Sequence, residues 1–331
     1  MVATWRGYFQ AIKEWSKHPK KFDAQPKIPK YKDKSKGRNV VIYSKESVYK
    51  APLKDGICHL SMSQIKIPVV VEEVVEVRIV PATGCYVIEV VYEKTSVPQI
   101  QSAYVAGIDL GIDRLVALST NKPGVKPLLI NGKPLKSVNQ LYNKRKAKYQ
   151  SVIKGQKKTS RKIEALSYHR NRFVENYLHN TSKLVLEYLT TNNIATVVIG
   201  KNDNWKQSAN IGKKNNQNFT QIPHSKLIQQ ITYKCQLVGI KVIETEESYT
   251  SKTSAIDLEK PICHENYVGK RVKRGLFLSA TGKVINADVN GSLQIIRKKF
   301  PGAFTAVCVA FRRMGIVSCA VQPILVNPIS R

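Results

Sequence analysis

An ordered series of apolar segments between residues 104 and 244 constrains the fold of this 331-residue chain more than any other feature. Short β-branched runs alternate with stretches of helical apolar spacing, which predicts three consecutive strands, a long helical region, a strand, a helix and a fifth strand. The predicted bounds are Tyr104–Asp109, Arg114–Ser119, Leu128–Ile130, 137–192, Ala195–Ile199, His224–Val238 and Ile240–Glu244.

This order of elements predicts an α/β fold arranged like an RNase H-like nuclease core. In that arrangement the fifth strand lies beside the fourth. We assign residues 101–300 to this domain, with a basic helical insertion over 133–190. A fold does not define a function, so the functional assignment must come from the side chains that the fold brings together.

The first 100 residues predict two further regions. Residues 1–38 begin with aromatic residues at helical spacing and continue as a basic stretch, where ten Lys or Arg and three acids lie between Lys13 and Arg38. Prolines 26 and 29 exclude a helix there, so we expect a basic arm. Residues 39–100 predict a small antiparallel β domain, either a barrel or a sandwich. Its expected strands are Val40–Tyr43, Ile57–Met62, Ile65–Val71, Val74–Val80 and Cys85–Tyr92.

The chain carries a strong excess of positive charge. It contains 54 Lys or Arg and 23 Asp or Glu, so the formal net charge is 54 − 23 = +31, while apolar residues make up 42%. That apolar share is normal for a folded protein and excludes a wholly disordered basic tail. A folded surface this positive repels itself unless an anion covers it. The composition therefore predicts a nucleic-acid partner, with an anionic membrane surface as the alternative.

Membrane insertion and zinc binding are both disfavoured by the sequence. No apolar run reaches the ~20 residues of a transmembrane helix, and residues 1–20 lack the apolar segment of a signal peptide. We therefore expect no membrane partner and a cytoplasmic location. The six cysteines form no CxxC pair, so neither a zinc knuckle nor a redox dithiol is encoded in its usual spacing.

Two aspartates are the strongest candidates for chemistry. Asp109 ends the first strand of the α/β region within Gly-Ile-Asp-Leu-Gly at 107–111, where an acid is costly unless it is solvated, paired or bound to a metal. Asp288 lies in Asn-Ala-Asp-Val-Asn-Gly at 286–291, at the start of a predicted helix. Either could instead stabilise a turn or a helix terminus, and Asp113, in the turn after the first strand, fits such a structural role better.

A third acid is required if these aspartates bind metal, because two-metal phosphodiester cleavage uses three or four carboxylates around ions ~3.5–4 Å apart. Mg²⁺ suits such oxygen ligands. The expected position at the end of the fourth strand is Gly200, which has no carboxylate. Glu246 and Glu247 follow the fifth strand and are the best substitutes, and strand alternation allows only one to point inward. Glu247 is narrowly favoured, Asp203 is a weaker option, and a surface role for both glutamates is the alternative.

Several motifs in this order resemble TnpB, the OrfB-type protein of bacterial insertion sequences that is related to type V CRISPR effectors. The resemblance covers most of the chain and is specific for the motifs jointly. It implies an RNA-guided DNA endonuclease with a RuvC nuclease domain, in which Asp109 and Asp288 match the first and last RuvC acids. The motifs are 107–111, 205–207, 212–217, 249–254, 270–276 and 286–291.

The resemblance also implies cofactors, partners and roles for the other regions. Two Mg²⁺ ions would be held by Asp109, Glu247 and Asp288, and the partners would be a guide RNA from the transposon end and a double-stranded DNA target. Residues 1–38 would be a remnant of a helical recognition lobe, 39–100 a wedge-like RNA-binding domain, 250–284 a degenerate zinc-finger-like region and 301–331 a C-terminal tail. Expected nucleic-acid contacts are Lys144, Arg145, Lys148, Lys157, Lys158, Arg161, Arg170, Lys206, Lys213, Lys214, Arg271 and Arg274.

Departures from the family pattern leave other functions open. Gly200 replaces the usual middle glutamate, CxxC pairs are missing after residue 254, and relatives usually carry additional N-terminal residues. A nuclease-inactive RNA-guided DNA-binding protein is therefore the second hypothesis. A DNA-strand-transfer transposase, which would use the same carboxylates on transposon ends without RNA, is the third.

Overall fold

The computed structural model describes residues 2–30, 39–71, 73–95, 97–155, 159–202, 221–304 and 322–328. The chain divides into two compact units, Met1–Glu93 and Lys94–Arg331. Within these described ranges, no helix has both the length and the apolar character needed to cross a bilayer.

The unit Met1–Glu93 combines a long helix with two small antiparallel sheets. Its elements are α1 (Val2–Lys17), β1 (Val41–Ser44), α2 (Lys50–Lys54), β2 (Ile57–His59), β3 (Lys66–Pro68), β4 (Glu76–Ala82) and β5 (Cys85–Val91). One sheet has the order β1-β4-β5 and the other pairs β2 with β3. The antiparallel pairing expected for this region is observed, and its strands form two sheets that contribute to one core, Val77 of β4 with Cys58 of β2.

A six-stranded mixed sheet forms the centre of the unit Lys94–Arg331. Its strands are β6 (Val105–Leu110), β7 (Arg114–Thr120), β8 (Leu128–Asn131), β9 (Thr196–Gly200), β10 (Lys241–Thr245) and β14 (Ile324–Val326). The order is β10-β9-β6-β7-β8-β14. Strands β6, β7 and β8 pair antiparallel, whereas β9 runs parallel to β6 and β10 parallel to β9. The five strands expected from the sequence are thus confirmed, with the fifth beside the fourth.

Strand β14 corrects the expectation that residues 301–331 form only a tail. It pairs parallel with β8, Ile324 opposite Leu128, and extends the sheet by one strand. Ile324 and Leu325 are both about half exposed. The segment therefore lacks the buried-and-exposed alternation by which a strand is recognised from sequence.

The helices of this unit cover both faces of the sheet. They are α3 (Lys133–Ser151), α4 (Arg161–Thr191), α5 (His224–Gln236) and α6 (Ala287–Lys299). Apolar residues of α4 and α5, including Leu178 and Ile231, share one core with Ile108 of β6, while Leu293 of α6 packs with Ala117 in a second core. Alternate strand residues point to opposite faces, so α6 lies across the sheet from α4 and α5.

The helical region expected over 137–192 is interrupted, which corrects the sequence interpretation. Helix α3 ends at Ser151, and Gly155, four residues further on, has a φ of +73°, a conformation that suits glycine and is not helical. A new helix begins at Arg161, where the Ser160 hydroxyl accepts a hydrogen bond from the Ile163 amide. Ser160 is thus an N-cap that the apolar periodicity alone does not reveal.

A three-stranded antiparallel sheet precedes α6 and positions its first turn. Its strands are β11 (Lys270–Lys273), β12 (Leu276–Leu278) and β13 (Val284–Asn286), in that order. Because β13 runs directly into α6, the sheet fixes where Asp288 lies relative to the central strands.

Candidate active site

Asp109 lies near the end of β6, the strand between β9 and β7 in the large sheet. Part of its side chain faces a cavity of about 400 Å³. Burial raises the pKa of Asp109 well above its ordinary value of 3.8, the negative charges of Glu247 and Asp288 raise it further, and Arg271 opposes them. The structure therefore brings Glu247 and Asp288 each within electrostatic reach of Asp109.

Two glycines allow α6 to approach the strand that carries Asp109. A Cβ atom on Gly107 would lie 2.2 Å from the Ser292 carbonyl oxygen, and one on Gly291 would lie 2.7 Å from Oδ2 of Asp109. Such distances exclude any larger residue without movement of the backbone or the carboxylate. The buried hydroxyls of Ser119 and Ser292 share a hydrogen bond of 2.6 Å across the same contact.

Asp288 occupies the first turn of α6. The Asn286 side chain accepts hydrogen bonds from the amides of Asp288 and Val289, at 2.9 and 3.2 Å, and so caps the helix. Burial raises the pKa of Asp288 above its ordinary value, while Arg271 and other cations lower it. The Arg271 guanidinium lies 3.9 Å from the Asp288 carboxylate, so a cation already partly balances this charge.

Glu247 follows β10 and is held in place by Asn202. The Asn202 amide group donates to Oε1 of Glu247 at 3.1 Å, and its carbonyl oxygen accepts from the Glu247 backbone amide, also at 3.1 Å. The other carboxylate oxygen, Oε2, is buried and has no hydrogen-bond partner within the described part of the chain. Burial, with a smaller effect from Glu246, raises the pKa of Glu247 to about 7.

Gly200 explains how Glu247 reaches this position. Ile108 of β6 lies opposite Ile199 of β9, so Gly200 follows immediately beside Asp109 in the parallel pair. A Cβ atom on Gly200 would lie 2.9 Å from Oε2 of Glu247. The carboxylate of Glu247 thus occupies the space that a side chain at position 200 would need.

Glu246 points elsewhere, which decides between the two glutamates named from the sequence. Its side chain is 58% exposed and pairs with Lys298 at 2.7 Å. The hydrogen bond from Lys298 lowers the pKa of Glu246, as expected for a surface carboxylate. The geometry therefore does not support Glu246 as a metal ligand, and its neighbour Glu247 remains the candidate third acid.

The basic residues expected to contact nucleic acid fall into different environments. Lys144, Arg145 and Lys148 are exposed on α3, and Arg161 is exposed at the start of α4. Arg170 is a correction to the expected set, because its guanidinium is used inside the protein. It donates to Asn139 at 2.8 Å and to the Gln221 carbonyl oxygen at 2.9 Å, and burial lowers its pKa.

Two further basic candidates, Arg271 and Arg274, line the cavity beside the acids. The cavity wall also contains Asp113, whose carboxylate pairs with Arg274. Six other candidates lie outside the described residues, namely Lys157, Lys158, Asp203, Lys206, Lys213 and Lys214.

The donor set of this site suits a divalent cation. The charges of Glu247 and Asp288 both act on Asp109, and Oε2 of Glu247 is buried with no donor among the described residues to balance it. Hard divalent ions take such oxygen ligands. In this conformation, however, no three His, Cys, Asp or Glu side chains among the described residues are close enough to form a metal-binding group. The residues fit the cation by chemistry, and Asp109, Glu247 and Asp288 are those that would hold it.

Sequence reasoning missed the residues that orient the acids. Asn202 follows Gly200 by two positions, and the only signal in the sequence was a polar residue just after a buried strand. Asn286 precedes the helix of Asp288, where an Asx cap is a recognisable signal. The contact between Gly291 and Asp109 involves residues 182 positions apart, and no local pattern predicts it.

Comparison with known proteins gives two family matches. The first begins shortly before the unit Lys94–Arg331 and ends inside it, and the second lies wholly inside it. Residues 86–206 match the family described as OrfB_IS605, probable transposase, and residues 224–295 match the Cas12f1-like TNB domain. The first match contains Asp109, and the second contains Glu247 and Asp288.

Two curated relatives and a solved structure are also similar to part of this chain. The CRISPR-associated endodeoxyribonuclease Cas12f2 of a Micrarchaeota archaeon (strain CG1_02_47_40) is 25% identical over 64% of this chain and 40% of its own length. The TnpB-like protein ORF457 of Acidianus two-tailed virus is 29% identical over 59% of this chain and 41% of its own. The Cas12f1 chain in a complex with sgRNA and target DNA aligns with a TM-score of 0.53 at 16% identity, over 69% of this chain and 46% of that one.

These matches agree with the motifs at 107–111 and 286–291. The motifs resemble TnpB and its type V CRISPR relatives, and the matched families and curated relatives are described as a probable transposase, a TnpB-like protein and Cas12f proteins. The matched region spans about two fifths of each curated relative. The structural match, at its low identity, adds that the fold is shared. Taken together, the family matches and the relatives show that this chain is similar to TnpB-type proteins.

Proposed function

We propose that this chain is an RNA-guided DNA endonuclease whose phosphodiester cleavage depends on Asp109, Glu247 and Asp288. The observation that carries the proposal is geometric: Asp109 and Asp288 line one cavity that also contains arginines, and the Glu247 carboxylate lies against Gly200, next to Asp109. The relatives named above, an endodeoxyribonuclease and a TnpB-like protein, support the reaction class. Guide RNA and target DNA as partners are supported by the net charge of +31 and by the complex that the similar Cas12f1 chain forms.

The finer architecture belongs to the same proposal. Strands β8, β7, β6, β9 and β10 lie in that order, with three antiparallel strands followed by two parallel ones, which is the arrangement we expect of an RNase H-like, RuvC-type core. The sheets of Met1–Glu93 would then serve as the wedge-like RNA-binding domain, and exposed lysines of α3 would contact the guide–target duplex through its phosphates.

The side chains of this site prepare it for a phosphodiester. Asn202 fixes the Glu247 carboxylate, Asn286 fixes the first turn of α6, and Gly291 lets Asp288 and Asp109 approach. Arg271 lies close enough to Asp288 to exchange that contact for a phosphate oxygen. Divalent ions bound by the three acids would supply an activated water and charge stabilisation at the phosphate.

Cleavage by matched variants tests this proposal. The purified protein would be combined with the RNA that copurifies from its native locus, a matching DNA and Mg²⁺. We expect Asp109→Ala and Glu247→Gln to reduce cleavage by at least about 10³-fold, the order seen when a group essential to the reaction is removed. Glu246→Gln is the control, because it changes the adjacent residue by the same chemistry and should retain near wild-type activity.

Three outcomes would contradict the assignment. Full activity in Glu247→Gln would show that the third acid lies elsewhere, and equal loss in Glu246→Gln and Glu247→Gln would show that the structure does not separate their roles. Unchanged cleavage in Asp109→Ala would place the reaction outside this site.

A second function is favoured by one specific observation, the glycine at position 200. If Glu247 does not complete the site, the chain would bind guide RNA and target DNA without cutting. Gel-shift binding of the target by the RNA complex, together with intact DNA after incubation with Mg²⁺ or Mn²⁺, would support this reading and exclude the endonuclease.

A further inference from the structure

Asp113 has a contact pattern that its position in a turn does not predict. It lies between β6 and β7, four residues after Asp109, and it is outside the set of three acids described above. Its Oδ1 lies 3.2 Å from the Lys136 ammonium group of α3, and its Oδ2 lies 2.5 Å from the guanidinium of Arg274, in the turn between β11 and β12. One carboxylate therefore connects three separate elements at the rim of the cavity.

The cavity beside Asp113 is lined by acids and by cations. The acids are Asp109, Asp113 and Asp288, and the cations are Arg114, Lys133, Arg271 and Arg274. Helix α3 begins at Lys133 on this wall and has no acidic residue in its first turn, so the positive end of its dipole adds to the positive charge of the wall. The four cations and this helix terminus suit the phosphates of a nucleic-acid strand.

The Asp113–Arg274 pair is poorly placed to stabilise the fold. The Arg274 side chain is 77% exposed, and exposed ion pairs contribute only about 0–1 kcal/mol. What the pair does achieve is orientation, because it restricts a long side chain that is otherwise free to adopt many rotamers. A side chain that is already oriented loses less entropy when a ligand binds.

We propose that Asp113 is a positioning residue that holds Arg274 at the rim of the acid site, where the guanidinium contacts a phosphate next to the bond being cleaved. The inference rests on the proposed function for the identity of the ligand. Lys136 binds the other oxygen of Asp113 and fixes the carboxylate against α3. The group that holds Arg274 is therefore itself immobilised. Arg274 is the group that touches the substrate, and Asp113 acts through it.

Opposite effects on binding and cleavage distinguish this role from a structural one. Asp113→Asn removes a negative charge from the path of the phosphates, so DNA affinity should stay equal or increase. The orientation of Arg274 is lost at the same time, so kcat should fall by about 10- to 100-fold, as expected for a misplaced contact. Asp113→Glu keeps the charge and should restore part of the lost rate. Glu175→Gln, which removes the exposed partner of Lys226 and does not belong to the cavity lining, is the control and should change neither quantity.

A binding experiment without metal tests the proposal independently of cleavage. The probe is a short fluorescein-labelled single-stranded DNA, titrated with the full chain in EDTA at several salt concentrations, and thermal melting confirms that each variant is folded. Arg274→Gln should weaken binding by about tenfold, the order of one charged hydrogen bond, and reduce the log–log salt slope by about 0.7. In a protein that already carries Asp113→Asn, Arg274→Gln should weaken DNA binding by less than about threefold, because Arg274 is no longer held against the phosphate.

Each result decides a different point. If Arg274→Gln changes neither affinity nor slope, or costs the same in both backgrounds, Asp113 does not position Arg274 on a phosphate and the inference is wrong. If Asp113→Asn weakens DNA binding as strongly as Arg274→Gln, the role is structural. If wild type binds DNA with the expected coupling but does not cleave it with its RNA, the proposed endonuclease fails while the phosphate contact stands.

Discussion

Replacing Glu247 with Gln should stabilise the metal-free protein while abolishing the proposed reaction. Burial raises the pKa of Glu247 from its ordinary value of 4.5 to about 7 in the folded protein. The folded state therefore binds more protons than the unfolded state between pH 4.5 and about 7, and stability falls as the pH rises through that window. At pH values above this window, the folded protein bears the whole free-energy cost of burying the charged Glu247 carboxylate.

The size of the effect follows from the same two pKa values. The interval from 4.5 to about 7 corresponds to at most about 3.4 kcal/mol, since one pKa unit equals about 1.36 kcal/mol. A Gln side chain keeps the acceptor for Asn202 but buries an amide donor, which costs about 1–3 kcal/mol if it finds no partner. We expect the carboxylate of Asp109, on which the charge of Glu247 acts, to accept from this amide, and therefore a net gain of about 1–3 kcal/mol at about pH 8 and almost none at about pH 4.

Differential scanning calorimetry in EDTA measures this gain. For a unit of this size, a change of 1 kcal/mol shifts the melting temperature by about 2–4 °C, so Glu247→Gln should melt about 3–10 °C higher at the upper pH. Glu246→Gln is the matched control and should melt at or slightly below the wild-type temperature, because it loses only the surface contact with Lys298.

Added Mg²⁺ supplies the complementary measurement. A ligand that binds only the folded state stabilises it in proportion to the logarithm of its concentration over Kd, so wild type should gain stability with Mg²⁺ and Glu247→Gln should gain less. A Glu247→Gln protein that is no more stable than wild type at about pH 8, or that gains equally at both pH values, would refute the assignment of a buried, electrostatically strained carboxylate.

The strands and the two aspartates could be predicted because their signals are local. The apolar runs that became β6, β7 and β9 are buried on both faces, and such runs read as strands without knowledge of their neighbours. Asp109 and Asp288 stand where a strand ends and where a helix begins, both of which sequence patterns mark. The break before Arg161 was missed because its cap, Ser160, and its glycine, Gly155, are individually weak signals.

The choice between Glu246 and Glu247 could not be settled from the sequence, because strand alternation allows either residue to point inward. The structure separates them through two contacts that are distant in the sequence, the Asn202 amide on one glutamate and Lys298 on the other. Gly200 illustrates the same limit. In the sequence, Gly200 stands where an acid was expected. In the fold, its lack of a side chain leaves the space that the Glu247 carboxylate occupies.

Three further predictions follow from contacts around the site and in the core. Cys263 is exposed, whereas burial raises the pKa of Cys235 to about 12, so a maleimide should label Cys263 and leave Cys235 unmodified in the folded protein, as peptide mass spectrometry would show. Ser119→Ala should cost about 1 kcal/mol through the lost hydrogen bond to Ser292, measured by urea unfolding. Gly107→Ala should be far more damaging, because its methyl group would lie 2.2 Å from the Ser292 carbonyl oxygen, and a backbone atom cannot move aside as a side chain can. Overpacking of this kind costs about 1–3 kcal/mol or more, and since the displaced helix is the one that carries Asp288, Gly107→Ala should also lose the stabilisation by Mg²⁺. A Gly107→Ala protein with wild-type stability and an unchanged response to Mg²⁺ would show that the strand and helix are not in the contact described.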